Sequence, residues 1–192
     1  MARRGRDPAD RRPPLSTPHR TPLARVAPAQ LPALAAQLTC PVGAALSLHR
    51  IDDLPEIAAL SRQTFGDEAL TPKELRRLYT RAHALVLALR RGPALLGYTV
   101  LELNRRQRRI YVVETCTQPH ARGGGLAAHL RACVVELAHQ LGYRTIASHT
   151  RLSNQPAQRL NLRAGMTLIG QIDDYYEDGE AALYFKRSLS GS

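Results

Sequence analysis

The sequence predicts an α+β fold on a mixed sheet of about seven strands, and two patterns carry that prediction. Between Leu85 and Leu103, extended apolar runs succeed one another across short turns, as antiparallel neighbours do. From Arg109 the pattern becomes strand, helix, strand, helix, which requires a crossover connection. A third observation bounds the folded region: residues 1–44 follow neither pattern.

Taken in order, Ala45 to Arg50 reads as a short strand. Asp52 or Asp53 can cap a helix whose Leu54, Ile57, Leu60 and Phe65 recur at helical spacing. Thr71-Pro72 is a helix start with proline at the first position, and Leu75, Leu78 and Tyr79 form its apolar stripe. Strands over 85–90 and 94–103 flank a Gly92-Pro93 turn, and Asn104 to Arg108 is the next turn. A strand over 109–117 leads to a helix over 124–141, with Leu126, Leu130, Val134, Leu137 and Leu141 on one face. A strand over 144–150, a helix over 154–164 and two last strands near 166–174 and 181–187 complete the series.

At 192 residues, one domain over 45–189 with an appendage is the natural expectation. Such a domain buries enough surface to need no disulfide or metal. Cys40, Cys116 and Cys133 are odd in number and lack C-x-x-C spacing, which points to a reducing, cytoplasmic setting without structural zinc. No apolar run is long enough to span a bilayer. In the first 44 residues, Pro8, Pro13, Pro14, Pro18, Pro22, Pro28, Pro32 and Pro41 interrupt Arg-rich and then Ala-rich sequence, so the segment reads as a disordered arm. The same prolines argue against a signal peptide, and with Asp7 and Asp10 against a mitochondrial transit peptide.

The net charge is +11, and all but two of the basic residues are arginines. Residues 1–30 hold seven arginines against two aspartates, which leaves +6 on the remainder. That suits an acidic ligand or a large acidic particle such as the ribosome, with Arg105, Arg106, Arg108 and Arg109 as a possible contact. With two Phe, no Trp and no recognisable motif, specific nucleic-acid recognition does not follow.

Arg122-Gly123-Gly124-Gly125-Leu126-Ala127, between a strand and a helix, is the most informative stretch. Glycines let backbone N–H groups approach an anion, and the helix start beyond them favours phosphate. Its R-x-x-G-x-A frame resembles the pyrophosphate-binding motif of the GNAT superfamily of acyl-CoA N-acyltransferases. The resemblance extends over residues 45–189 and includes Asn154-Gln155-Pro156-Ala157 through Leu160 to Gly165-Met166. It implies a mostly antiparallel sheet with helices on both faces. Acetyl-CoA is then the co-substrate, and transfer is direct, in a ternary complex, without a metal.

In that resemblance, Arg122, Gly123, Gly124, Gly125, Leu126 and Ala127 hold the pyrophosphate. The strand edge at Val113, Thr115, Cys116 and Thr117 pairs with the pantetheine arm, which Asn154 also contacts. Asp173-Asp174-Tyr175-Tyr176 followed by Asp178-Gly179 is similar to protein N-terminal acetyltransferases, including the bacterial ribosomal-protein alanine type. There the paired tyrosines and the position of Phe65 hold the acceptor peptide. Tyr111 and His149 fall where such enzymes deprotonate the amine. An α-amine, with a pKa of about 8, is already substantially neutral near physiological pH, and imidazole suffices as its base. Glu114 is a competing base, but strict strand alternation points it away from Tyr111. Asn161 replaces the tyrosine that assists the departing thiol in most of the superfamily. An amide is no acid, though it can donate a hydrogen bond to sulfur. Two other readings stay open: acetylation of a small-molecule amine, and a non-catalytic module that binds acyl-CoA or the ribosome.

Overall fold

The computed structural model describes residues 44–48, 54–79 and 84–189. Apart from Ala44, the N-terminal arm lies outside the described residues, as do Arg50, the Asp52 or Asp53 cap and the Tyr79 side chain. Seven strands form one sheet: β1 (Ala45–Leu48), β2 (Ala84–Arg91), β3 (Ala94–Asn104), β4 (Arg109–Thr117), β5 (Thr145–Arg151), β6 (Thr167–Ile172) and β7 (Ala182–Ser188). Among the described residues, four α-helices accompany them: α1 (Leu54–Phe65), α2 (Pro72–Tyr79), α3 (Leu126–Gln140) and α4 (Gln155–Arg163). The strand order is β1-β2-β3-β4-β5-β7-β6. Every pair is antiparallel except β4–β5, which α3 joins as a crossover.

Alternation along the strands divides the core in two. Leu87, Leu101, Ile110, Ile146 and Phe185 turn to one face and pack with Leu130, Val134 and Leu137 of α3. Val86, Ala88, Tyr98 and Val100 turn to the other and meet Ile57, Leu60, Leu75 and Leu78 of α1 and α2. Gly97 sits where β3 passes so near β4 that a Cβ would lie 2.7 Å from the Cys116 carbonyl.

The helix expected from residue 124 begins at Leu126, because Gly125 is left-handed at φ 75° and cannot be a helical residue. The start of α2 is a reciprocal cap: Glu74 N–H donates to Thr71 Oγ1 at 3.2 Å, and Thr71 N–H donates to Glu74 Oε2 at 2.9 Å. Thr71→Ala is expected to cost about 1 kcal/mol in denaturant unfolding. An unchanged midpoint would mean that Pro72 and packing alone hold this turn.

Two irregularities open the centre of the sheet. Val100 pairs with Glu114 but Leu101 pairs with Val112, so Val113 is an extra residue in β4. The parallel pairing of β4 with β5 also stops there, at Val112 with Ser148. Beyond that point the edge of Val113–Thr117 has β3 on one side and an open wedge towards β5 on the other.

Candidate active site

Tyr111 and His149 meet on the sheet face that α1 and α2 cover. Tyr111 is paired with Ala147 in register, and its hydroxyl lies 2.6 Å from His149 Nδ1. The phenol also hydrogen-bonds Tyr175, in the loop between β6 and β7. The His149 ring stacks on Tyr175 at 5.0 Å and on Tyr184 at 4.7 Å. Tyr176 then stands edge-on to Tyr175 at 5.0 Å. Burial first, and Tyr175 next, raise the pKa of Tyr111, so its phenol stays protonated. Burial first, then the charge of Arg109, lower that of His149 to about 4. The imidazole is thus neutral at physiological pH. In the tautomer with Nδ1–H donating to Tyr111, the lone pair of Nε2 is free, and Tyr111 donates its own proton to Tyr175.

Glu114 does not point away from Tyr111. The extra residue Val113 shifts the alternation by one, so Glu114 shares the face of Tyr111 instead of opposing it. Its carboxylate accepts from the Tyr98 hydroxyl and from Ser61, and burial raises its pKa. Those bonds tie β4 to α1 and leave Glu114 engaged.

At the other end of the wedge, Gly123 and Gly125 both have positive φ, 82° and 75°. A Cβ on either would project into open space, with no atom within 4 Å. Gly125, at the cap position of α3, offers no side chain, so no side-chain cap claims the first N–H groups of the helix. This cradle fits a phosphate group, and the open edge of Val113–Thr117 fits an extended amide-bearing arm. Arg122 is exposed and reaches Thr64 Oγ1 at 3.4 Å, and Thr64 in turn meets Cys116 Sγ at 2.9 Å. Thr115 Oγ1 bonds Thr99 Oγ1 at 2.9 Å, and Leu126 and Ala127 open α3.

Asn154 caps α4 through Oδ1, which accepts from Ala157 N–H at 3.1 Å; its Nδ2 is what remains for a ligand. Asn161 is fully buried on the opposite side of β5 from His149, and donates one N–H to Ser148 Oγ at 3.3 Å. Its Oδ1 has no partner among the described residues. The structure therefore brings Tyr111, His149, Tyr175 and Tyr176 together and keeps Asn161 on the far side of the sheet. Phe65, at the end of α1, packs against the core on the Tyr111 face.

Sequence reading missed two contributors. Tyr184 faces His149 directly across the β5–β7 pair, a neighbour that only the register reveals. Arg151 gathers three carboxylates: its Nε donates to Glu68 at 2.9 Å and its Nη1 to Asp178 at 2.9 Å and Glu180 at 2.5 Å. Its guanidinium also lies 4.0 Å from the ring centre of Tyr176. One arginine thereby ties the turn after α1 to the loop carrying the paired tyrosines. Individual surface ion pairs contribute little, but one bidentate hub fixes geometry.

Residues 51–166 match the acetyltransferase (GNAT) family. A Bacillus subtilis (strain 168) protein, provisionally named a ribosomal protein bS18-alanine N-acetyltransferase, is 27% identical over 141 residues, or 73% of this chain and 92% of that protein. Ard1 from Thermoplasma volcanium superimposes with a TM-score of 0.70 at 16% identity, covering 78% of this chain and 99% of that one. The ribosomal-protein-S18-alanine N-acetyltransferase of Escherichia coli gives 0.70 at 18%, covering 78% and 96%. A spermidine N-acetyltransferase from Vibrio cholerae gives 0.67 at 17%, covering 77% and 95%. At such identities the structural likeness speaks for the fold.

Proposed function

The chain belongs to the acetyltransferase (GNAT) family and is an N-acetyltransferase, and from that premise we propose that its acceptor is the α-amino group of a protein or peptide N-terminus. One observation carries the reading: Tyr175 is stacked on His149, with Tyr176 edge-on to it and the Arg151 guanidinium over the Tyr176 ring. That arrangement presents hydroxyls and ring faces to a peptide backbone beside a neutral imidazole. The likeness to a ribosomal-protein alanine acetyltransferase supports the same acceptor class.

Acetyl-CoA, the family's co-substrate, supplies an acetyl group already activated as a thioester. The backbone N–H groups from Arg122 to Ala127 hold its pyrophosphate. The edge at Val113–Thr117 holds its arm, and a backbone N–H there steadies the developing oxyanion. Tyr175, Tyr176 and Phe65 orient the acceptor, which supplies much of the acceleration by proximity. Tyr111 fixes the His149 ring, and Nε2 takes the amine proton directly or through one water. Among the described residues no helix is long and apolar enough to cross a membrane.

Glu68, Asp178 and Glu180, the carboxylates gathered beside the paired tyrosines, are already neutralised by Arg151, which makes them poor partners for a polyamine and disfavours the small-amine reading. The test is incubation with acetyl-CoA and three acceptors: peptides with free N-termini, N-blocked peptides carrying lysine, and spermidine. Product mass is expected to place the acetyl group on the α-amine, with a preference for certain first residues. Turnover of spermidine alone would overturn the proposal.

A further inference from the structure

Two segments distant in sequence bring arginines together at one end of the sheet. The turn from β3 to β4 carries Arg105, Arg106 and Arg108, and the turn from α3 to β5 carries Arg144. Arg108 joins the two turns. Its Nε donates to the Gly142 carbonyl at 2.9 Å, and its own carbonyl accepts from the N–H groups of Arg144 at 2.8 Å and Thr145 at 3.1 Å. Arg108 makes these bonds at a left-handed φ of 47°, which costs a non-glycine residue about 1–2 kcal/mol. Asn104 locks the rest of its turn, accepting from Gln107 N–H through Oδ1 at 3.0 Å. Burial raises the pKa of Tyr143, and the charge of Arg105 beside it works in the opposite direction. Arg106, Arg108 and Arg144 are exposed on this fixed frame.

Carboxylates are missing from this end. Residues 103–110, 137–148 and 183–189, which hold the ends of β3, β4, β5, β7 and α3 here, contain no Asp or Glu. The next acidic residue back along α3, Glu136, accepts from Gln140 at 3.0 Å. Arg90 and Arg151 are matched with carboxylates, whereas Arg106, Arg108 and Arg144 make no ion pair with any described residue. Apolar surface is missing as well. The large exposed aliphatic side chains, Leu152, Leu162, Leu168, Ile169 and Ile172, all fall outside these segments. That absence selects among partners. A protein interface has an apolar centre, and a membrane surface takes apolar side chains between its headgroups. A phosphodiester backbone needs only cations, and the guanidinium fork fits it with two parallel bonds.

We propose that this end of the sheet is a docking surface for the phosphodiester backbone of a nucleic acid, held by Arg106, Arg108 and Arg144 without reading its sequence. β4 leads from this end to the Arg122–Ala127 loop, and α3 returns from the loop to it. A nucleic acid bound here therefore lies about the length of β4, roughly 25 Å, from the cradle for the co-substrate. The protein can be anchored with its acetyl-transfer site open, and docking is independent of which amine is acetylated. Three phosphate contacts contribute about 2–3 to the slope of log affinity against log salt.

The test is fluorescence anisotropy of the full-length protein with a short labelled RNA duplex and a DNA duplex of the same sequence, across a range of salt. Arg106→Gln combined with Arg144→Gln removes two contacts and leaves the bond from Arg108 to Gly142 in place. The double variant should bind on the order of tenfold more weakly near 0.1 M salt, with a salt slope lower by about 2. Arg62→Gln combined with Arg91→Gln removes the same charge from exposed positions elsewhere and should change both quantities little. Residues 1–30, with seven arginines against two aspartates, are present in all three proteins and contribute equally. Acetylation of a free peptide by the Arg106 and Arg144 double variant should match wild type. A selective loss with RNA, DNA or both supports the surface and tells which nucleic acid supplies the backbone. Equal losses in the two double variants would overturn it, because net charge and the N-terminal segment would then account for binding. So would a wild type that binds neither duplex at low salt, or one that binds polyglutamate or phosphatidylserine vesicles more tightly than either.

Discussion

Gly125→Asp is expected to weaken coenzyme A binding by at least about 10²-fold, read as Kd by calorimetry. Two effects combine. Aspartate, like asparagine, enters the left-handed region at φ 75° at modest cost, about 1 kcal/mol or less, and a carboxylate facing a pyrophosphate adds a like-charge penalty of several kcal/mol. Each 1.4 kcal/mol is about tenfold in affinity. Nothing within the protein obstructs the new side chain, because a Cβ at Gly125 meets no atom within 4 Å. The loss therefore falls on the ligand rather than on the fold.

Gly125→Asn separates the two effects. Asparagine tolerates the left-handed region and carries no charge, so it should lose about tenfold or less. Comparable losses in both variants would mean that backbone conformation governs binding and the anion does not. An aspartate variant within threefold of wild type would remove the phosphate cradle from Arg122–Ala127 altogether.

The glycine loop was legible because it depends on local order alone: strand, loop, glycine, helix. The same holds for the strands themselves, whose apolar runs and turns are local. What sequence does not show is pairing. Val113 looks like any other strand residue, yet as a bulge it turns Glu114 onto the face of Tyr111, where strict alternation excludes it. Tyr184 becomes a neighbour of His149 only through the β5–β7 register. Arg151 and Arg131 carry no distinguishing signal in a chain with so many arginines. Only the fold makes the first the hub of two loops and buries the second on α3.

His149→Ala is expected to lower kcat by roughly 10²-fold, the usual loss when a general base is removed. The pH profile tells more than the magnitude. Because His149 titrates near 4, its imidazole is already neutral where the enzyme works. The acid limb of kcat/KM then belongs to the acceptor ammonium, near pH 8 for an α-amine. The variant should show a lower plateau with the limb unmoved. A wild-type limb near 6.5 that vanishes in the variant would instead place the histidine in water-like surroundings and contradict the stacked, buried site. Stability gives an independent reading of the same group. The folded state holds its proton less tightly than the unfolded state does, about 4 against the ordinary 6.5. Between those values the unfolded chain binds more protons, so stability rises with pH across that window and is lost as pH falls through it. His149→Gln should flatten the dependence of Tm on pH there, while Tyr111, its pKa raised by burial, stays protonated throughout the window and contributes nothing to it. A flattened stability curve together with an unmoved kinetic limb can arise only if one neutral imidazole, held by Tyr111 and two stacked rings, is both buried and poised to take a proton.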